Sequence, residues 1–389
     1  MERNYILFDT PARELLYPFT HTRPVAACRI GILTIQEKWE RWLNAPTSHL
    51  TVPYLQQKYP IKKDETRPAV MIRGNVLPNE ALLQAIAALQ PGQSLYKEQE
   101  LLAKVTAGSD PDAAPIERKE YLGEISVVRK PWDFFLLNDK AIRSDFALLT
   151  AGRTSAPLSD TNKITNAADI FLEEGAVVSH SILNAATGPI YIGRNAEIME
   201  GCLVRGPLAM GEKAVLKMGT KVYGAATLGP GSVGGGEIKN VVMFGYSNKG
   251  HDGYLGDAVI GEWCNLGANA TCSNLKNNGS TVRVWVEALN SAEAAGTKCG
   301  LLMGDYSRCG IGSLLNTGTV IGASCNIFGA GFPPKFVPSF SWGGADKVER
   351  YRIEQALRDI ETWMQFKGQQ MTETDKQILE FLFAKFADD

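Results

Sequence analysis

The stretch SNKGHDGYLGD, residues 247 to 257, sets His251, one of only four histidines in the chain, among glycines. An imidazole ordinarily titrates near neutrality, so a histidine fixed beside a reacting group can take a proton from a nucleophile. The bland counterpart is a solvated turn residue, and only the company His251 keeps decides between them. His21, His49 and His180 have no such company and read as surface or packing residues. The seven cysteines, Cys28, Cys202, Cys264, Cys272, Cys299, Cys309 and Cys325, are odd in number and contain no C-x-x-C pair. They indicate neither a disulfide framework nor a zinc knuckle, and read as small buried apolar fillers.

The elements that must position His251 show themselves as a repeat. Every sixth residue from 192 is aliphatic or Met: Ile192, Ile198, Val204, Met210, Leu216, Val222 and Leu228. Ile260 and Leu266 resume the spacing, and Met303, Cys309, Leu315, Ile321 and Ile327 continue it. Helices and strands have natural periods of 3.6 and 2, so neither alone holds a period of six. One flat side of a three-sided coil does: a short strand with one inward aliphatic, then a tight corner where glycine relieves crowding. The spacing predicts a solenoid of about nine coils, at about eighteen residues each, over roughly residues 165 to 330. A β-sandwich of short strands would instead alternate at period two. The rhythm breaks twice, at 231–256 and at 273–300. Both breaks read as insertions emerging from the coil, the first carrying His251.

Around the solenoid, residues 1 to about 150 alternate strand-like and helix-like pieces: NYILFDT, RIGILTI leading into QEKWERWLN, AVMIRG, NEALLQAIAAL and EISVVRK. This is the βαβ pattern of an open, mostly parallel, Rossmann-like sheet. At the far end, Ile353, Leu357, Ile360 and Met364 mark one helix. A second, opened by Thr372 with Asp375 as its cap, presents Leu379, Leu382 and Phe386. With 40 basic against 42 acidic side chains, the net charge of −2 gives no strong field to recruit nucleic acid or an anionic membrane. A 44% hydrophobic composition without a membrane-length apolar run points to a cytoplasmic globular protein.

The segment EIKNVVMFGYSNKGHDGYLGDAVIGEWCNLGANATCSN resembles the acetyltransferase part of the bifunctional N-acetylglucosamine-1-phosphate uridyltransferase/glucosamine-1-phosphate acetyltransferase family. The repeat around it resembles the left-handed parallel β-helix of hexapeptide acyltransferases. RPVAACRIGILTIQEKW looks like the start of a divergent group with a shortened nucleotidyltransferase-like domain. The resemblance implies three parts: a reduced nucleotidyltransferase-like α/β domain over 1–155, a left-handed β-helix over 160–335, and C-terminal helices over 345–389. It implies an acetyl-CoA-dependent acyltransferase acting on an amino-sugar phosphate, assembled as a homotrimer. On this likeness the catalytic set is His251, Asn265 and Tyr254. Lys239, Lys221 and Asn274 would bind substrate, Lys221 standing where the family has Arg, so that charge is kept and the bidentate fork lost. The amine acceptor must be neutral to attack a thioester, which is the proton transfer His251 would serve.

In the N-terminal part the family's glycine-rich phosphate loop is absent, since the first glycine is Gly31. Where the family needs a magnesium-binding Asp after Gly, this chain has Gly74 followed by Asn75, a poorer ligand for Mg2+. Arg23, Arg29 and Asn75 remain the nucleotide-binding candidates, and Lys38 belongs to the same basic cluster. Two other functions compete with acetyl transfer. A γ-carbonic-anhydrase-type zinc lyase needs three histidines on the solenoid, where only His180 and His251 lie, so no metal site is expected. A non-catalytic sugar-nucleotide or sugar-phosphate binding protein, or scaffold, would keep the pocket without turnover.

Overall fold

The computed structural model describes residues 3–62, 67–106 and 116–386. The chain divides into two units: residues 1–16, 22–28 and 33–129 form the first, and residues 17–21, 29–32 and 130–389 the second.

The first unit holds a six-stranded sheet. Asn4–Phe8 lies between Thr47–Leu50 and Ala69–Arg73, parallel to both. Ile6, Leu7 and the run Ala69, Val70, Met71, Ile72 are buried, as a parallel sheet requires, and the edge strand buries Thr47, Ser48 and His49. The sheet is mostly parallel, as expected, with three parallel pairings of five, and it turns antiparallel around one hairpin. Gln93–Lys97 and Glu100–Val105 form an antiparallel hairpin across a tight turn, and Glu100–Val105 also pairs antiparallel with Ala69–Arg73. The helix Ile35–Leu43 starts at a capping box, Thr34 and Glu37 satisfying each other's backbone N–H. The piece RIGILTI is not a strand, despite its β-branched residues. Gly31 takes φ +72, and the backbone N–H groups of Gly31 and Ile32 donate to Asn138 Oδ1 and Asp145 Oδ2, so side chains rather than a neighbouring strand satisfy this backbone.

His49 is buried in this unit, with Nε2 2.9 Å from Gln36 Oε1. Burial disfavours the imidazolium and pushes its pKa down to about 4 from the usual 6.5. The unfolded chain therefore takes up a proton near pH 6.5 that the folded chain refuses until about 4. The stability this site confers is complete above pH 6.5 and is lost as pH falls toward 4, by ~3 kcal/mol in the limit. Thermal melts of the full chain at pH 7 and pH 4.5 should show a smaller acid-induced drop in His49→Asn than in the parent.

The second unit carries helices Asp133–Leu136 and Asn138–Thr150, then a parallel β-solenoid, then two more helices. One ladder of inward side chains runs Ile192, Met210, Leu228, Met243, Ile260, Met303, Ile321, Val337. A second climbs from Val178 through Ile198, Leu216 and Gly234 to Lys249, on a sheet whose first nine strands are parallel. All fourteen residues picked out by the six-residue spacing lie in the solenoid's core cluster. The six solenoid cysteines are buried and free, and desolvation raises the pKa of Cys264, Cys272, Cys299, Cys309 and Cys325, so they behave as apolar fillers.

The two breaks differ in kind. At 273–300 a true insertion forms an antiparallel hairpin, Arg283–Val286 with Ser291–Ala294. At 231–256 nothing leaves the coil. Two nine-residue strands, Glu237–Gly245 and Tyr254–Glu262, pair in parallel within the solenoid. The spacing is lost because these coils are fifteen and seventeen residues around, Leu228 to Met243 and Met243 to Ile260, instead of eighteen. His251 therefore sits at a coil corner, not on an insertion. Beyond the solenoid, helix Ile353–Gln365 buries Leu357, Ile360 and Met364, and Glu373–Phe386 opens on the expected Thr372–Asp375 cap.

Candidate active site

Parallel coils stack equivalent residues about 4.8 Å apart, so residues 15 to 18 apart in sequence become neighbours. Lys221, Glu237 and Tyr254 form one such stack, and Tyr223, Lys239 and Gly256 another two residues along the same strands. The side chains on both stacks face away from the axis, because Val222, Ile238 and Leu255 between them are buried inward. The glycine matters: a Cβ at Gly256 would lie 2.2 Å from the Tyr254 hydroxyl, so any side chain there displaces the phenol.

Hydrogen bonds then fix the polar groups. Tyr223 OH donates to Glu237 Oε1 at 2.6 Å, and the Lys239 ammonium lies 5.9 Å from the centre of the Tyr223 ring. Asn274 Nδ2 donates to Tyr254 OH at 3.0 Å and also to Asp257 Oδ2, while Asn240 Nδ2 donates to Asp257 Oδ1 at 2.7 Å. Asp257 is thus a buried carboxylate held between two amides, with its backbone at φ +46. Desolvation and the nearby Asp257 and Glu237 carboxylates push the Tyr254 phenol well above its usual range. The hydrogen bond to Glu237 raises Tyr223 to about 12. Both phenols are therefore protonated donors at neutral pH.

A groove of about 700 Å³ opens on this face, lined by Lys221, Tyr223 and Glu237 at one end and by Arg205, Leu203 and Ile182 farther along. His251, exposed, stands at the corner three residues before Tyr254, outside the groove lining. Of the residues singled out from sequence, Lys221, Lys239, Tyr254 and Asn274 come together on this face. Asn265 does not. It lies on the ten-stranded sheet opposite Asn248 and Arg308, and accepts from Asn248 Nδ2 at 3.4 Å. Sequence reasoning misses Glu237 and Asp257. The period-two alternation E-I-K around inward Ile238 is a usable signal for Glu237. For Asp257 there is none, since its partners Asn240 and Asn274 lie 17 residues away on either side.

The N-terminal nucleotide-binding candidates separate. Arg29 belongs to the second unit, where it donates to the carbonyls of Phe244 and Ile32. Arg23 is buried in the first unit. Asn75, also buried, spends Nδ2 on the Val128 carbonyl at 2.9 Å. A different cluster occupies the carboxyl ends of the parallel strands, where open α/β sheets place ligands. There Asp9 accepts from Thr51 Oγ1 at 2.6 Å and from the Val25 N–H at 3.0 Å, and pairs with Arg13. Its burial raises its pKa. One carboxylate already held by three donors, with a neutral Asn75, does not suit Mg2+, which asks for several free oxygen ligands. Among the described residues no group of three or more His, Cys, Asp or Glu is placed to hold a metal ion, and no helix is long and apolar enough to cross a membrane.

Comparison with known proteins finds likeness over parts of the chain. The family described as sugar nucleotidyl transferase matches residues 5–154. The bifunctional protein GlmU of Methanocaldococcus jannaschii is 31% identical over 91 residues, 23% of this chain and 22% of that protein. Those of Methanococcus maripaludis and Methanococcus aeolicus are 31% and 32% identical over 97 and 99 residues, in each case 23% of both chains. The chain thus spans under a quarter of the length of the curated relatives it matches. Among solved structures, the Arabidopsis UDP-N-acetylglucosamine acyltransferase aligns with 52% of this chain and 76% of its own, at 12% identity and a TM-score of 0.30.

Proposed function

We propose that the solenoid unit transfers an acetyl group from acetyl-CoA to the amine of an amino-sugar phosphate. The observation that carries this reading is the stacking of Lys221, Glu237 and Tyr254 on consecutive coils, with Lys239 and Asn274 beside them and His251 at the adjoining corner. Lys221 and Lys239 offer two ammonium charges to a phosphate. Tyr254, whose oxygen accepts from Asn274, keeps its own hydrogen for a sugar oxygen. His251 removes a proton from the acceptor nitrogen as that nitrogen attacks the thioester carbonyl. The tetrahedral adduct then collapses, the C–S bond breaks, and the thiolate leaves as CoA and is protonated. Backbone N–H groups at the glycine corners are suited to the oxyanion.

Asn265, on another face of the coil, would reach substrate only if it completed the site of a neighbouring copy, which fits a homotrimer in the cytoplasm. Light scattering should then give three times the 42.4 kDa chain mass; a monomer would remove Asn265 from the site. For the N-terminal unit, the neutral Asn75 and the fully engaged Asp9 favour binding of a sugar nucleotide without turnover. The decisive experiment follows thiol release from acetyl-CoA with a panel of amino-sugar 1-phosphates. Release only with an amine-bearing, phosphorylated sugar is the expected result. Binding of the same sugars without release would make the protein a sugar-phosphate binder instead.

A further inference from the structure

Lys249 occupies a position that belongs to the apolar interior. In its ladder the equivalent residues are Ile198, Leu216 and Gly234 below, and Leu266, Cys309 and Ile327 above. The Lys249 side chain is nevertheless wholly buried, at 0% exposure. Its ammonium donates to three backbone carbonyls: Gly235 at 3.3 Å, His251 at 2.5 Å and Asp252 at 3.1 Å. Three N–H groups thus meet three acceptors on two successive coil corners, one of which carries His251.

The two corners are already in close contact. A Cβ at Gly235 would lie 2.6 Å from the Gly250 backbone and 2.9 Å from His251 N. One at Gly236 would lie 2.8 Å from the carbonyl oxygens of His251 and Gly253. Glycines there let the corners approach, but they contribute no side chains of their own to anchor the 250–253 corner. Solenoid stability alone does not call for a charge at this site, because burying an ammonium carries a desolvation cost that an aliphatic residue avoids. Desolvation pulls Lys249 down to about 8, which still leaves it mostly cationic at neutral pH.

We infer that Lys249 is a positioning residue, an internal ammonium that clamps the 250–253 corner onto the Gly235–Gly236 corner and so fixes the imidazole of His251 for proton transfer. This inference rests on His251 being the base of the proposed reaction. Lys249 itself touches no substrate; it acts through the backbone of the residue it holds.

Lys249→Met tests it, since Met fills the same apolar tunnel without the charge. The variant should fold and melt at or above the parent temperature. Amide exchange at residues 250–253 should quicken by about tenfold or more, with the rest of the solenoid unchanged. The kcat should fall ~10–100-fold with KM for both substrates within about twofold, because misplacement of a base affects the reaction rather than binding. An unchanged kcat, an unchanged corner exchange, or faster exchange along the whole solenoid would each overturn the inference. If His251→Ala retains the parent's turnover, the base assignment fails on its own account. Corner exchange in Lys249→Met then decides the clamp without any activity measurement.

Discussion

Replacing His251 by alanine should leave a folded protein and lower kcat for acetyl transfer by ~10²–10⁴-fold, the range expected when a positioned general base is removed. Folding should survive because His251 is exposed, and its backbone contacts at the corner, to Lys249 and against Gly236, do not need its ring. The loss should fall on kcat. A truncated ring leaves Lys221, Lys239 and Tyr254 to bind the sugar, so KM should move little. Equal turnover in parent and His251→Ala would exclude imidazole catalysis and leave the histidine as a turn residue.

The solenoid is legible in the sequence because its rule is local. Each side of the coil needs one inward residue every six, and a deviation in size is felt at once in a narrow core. The helical tail is legible for the same reason, through its apolar spacing and the Thr372–Asp375 cap. What does not show are features made by residues on different coils. Glu237 acquires its role from Tyr223 fourteen positions earlier, and Asp257 from Asn240 and Asn274. Lys249 looks in sequence like any solvated lysine of a polar loop, because its burial follows from Gly234 beneath it and from the corner it supports. The stretch 231–256 reads wrongly as an insertion because a shortened coil and an extruded loop both break a strict period. Only the Glu237–Gly245 and Tyr254–Glu262 pairing separates the two. RIGILTI reads wrongly as a strand because β-branched composition says nothing of a distant Asn138 or Asp145 able to capture the backbone.

Removing both cationic side chains from the site face, in Lys221→Ala with Lys239→Ala, should raise KM for the phosphorylated acceptor by ~10²–10³-fold, with a much smaller effect on kcat. Lys221 is exposed, and Lys239 is only half-buried beside the Tyr223 ring, so neither substitution opens the core. Both project from strands whose inward residues, Val222 and Ile238, stay in place. The site otherwise carries Glu237 and Asp257, and without the lysines its face is net negative and repels a phosphate. The same double variant should barely change KM for an amino sugar lacking the phosphate, and raising the salt concentration should weaken acceptor binding in the parent more than in the variant. Either single substitution should give an intermediate KM, since two point charges held on adjacent stacks act on one dianion from different sides. A KM that is unaffected in the double variant would move the phosphate away from the two lysines, toward Arg205 farther along the groove.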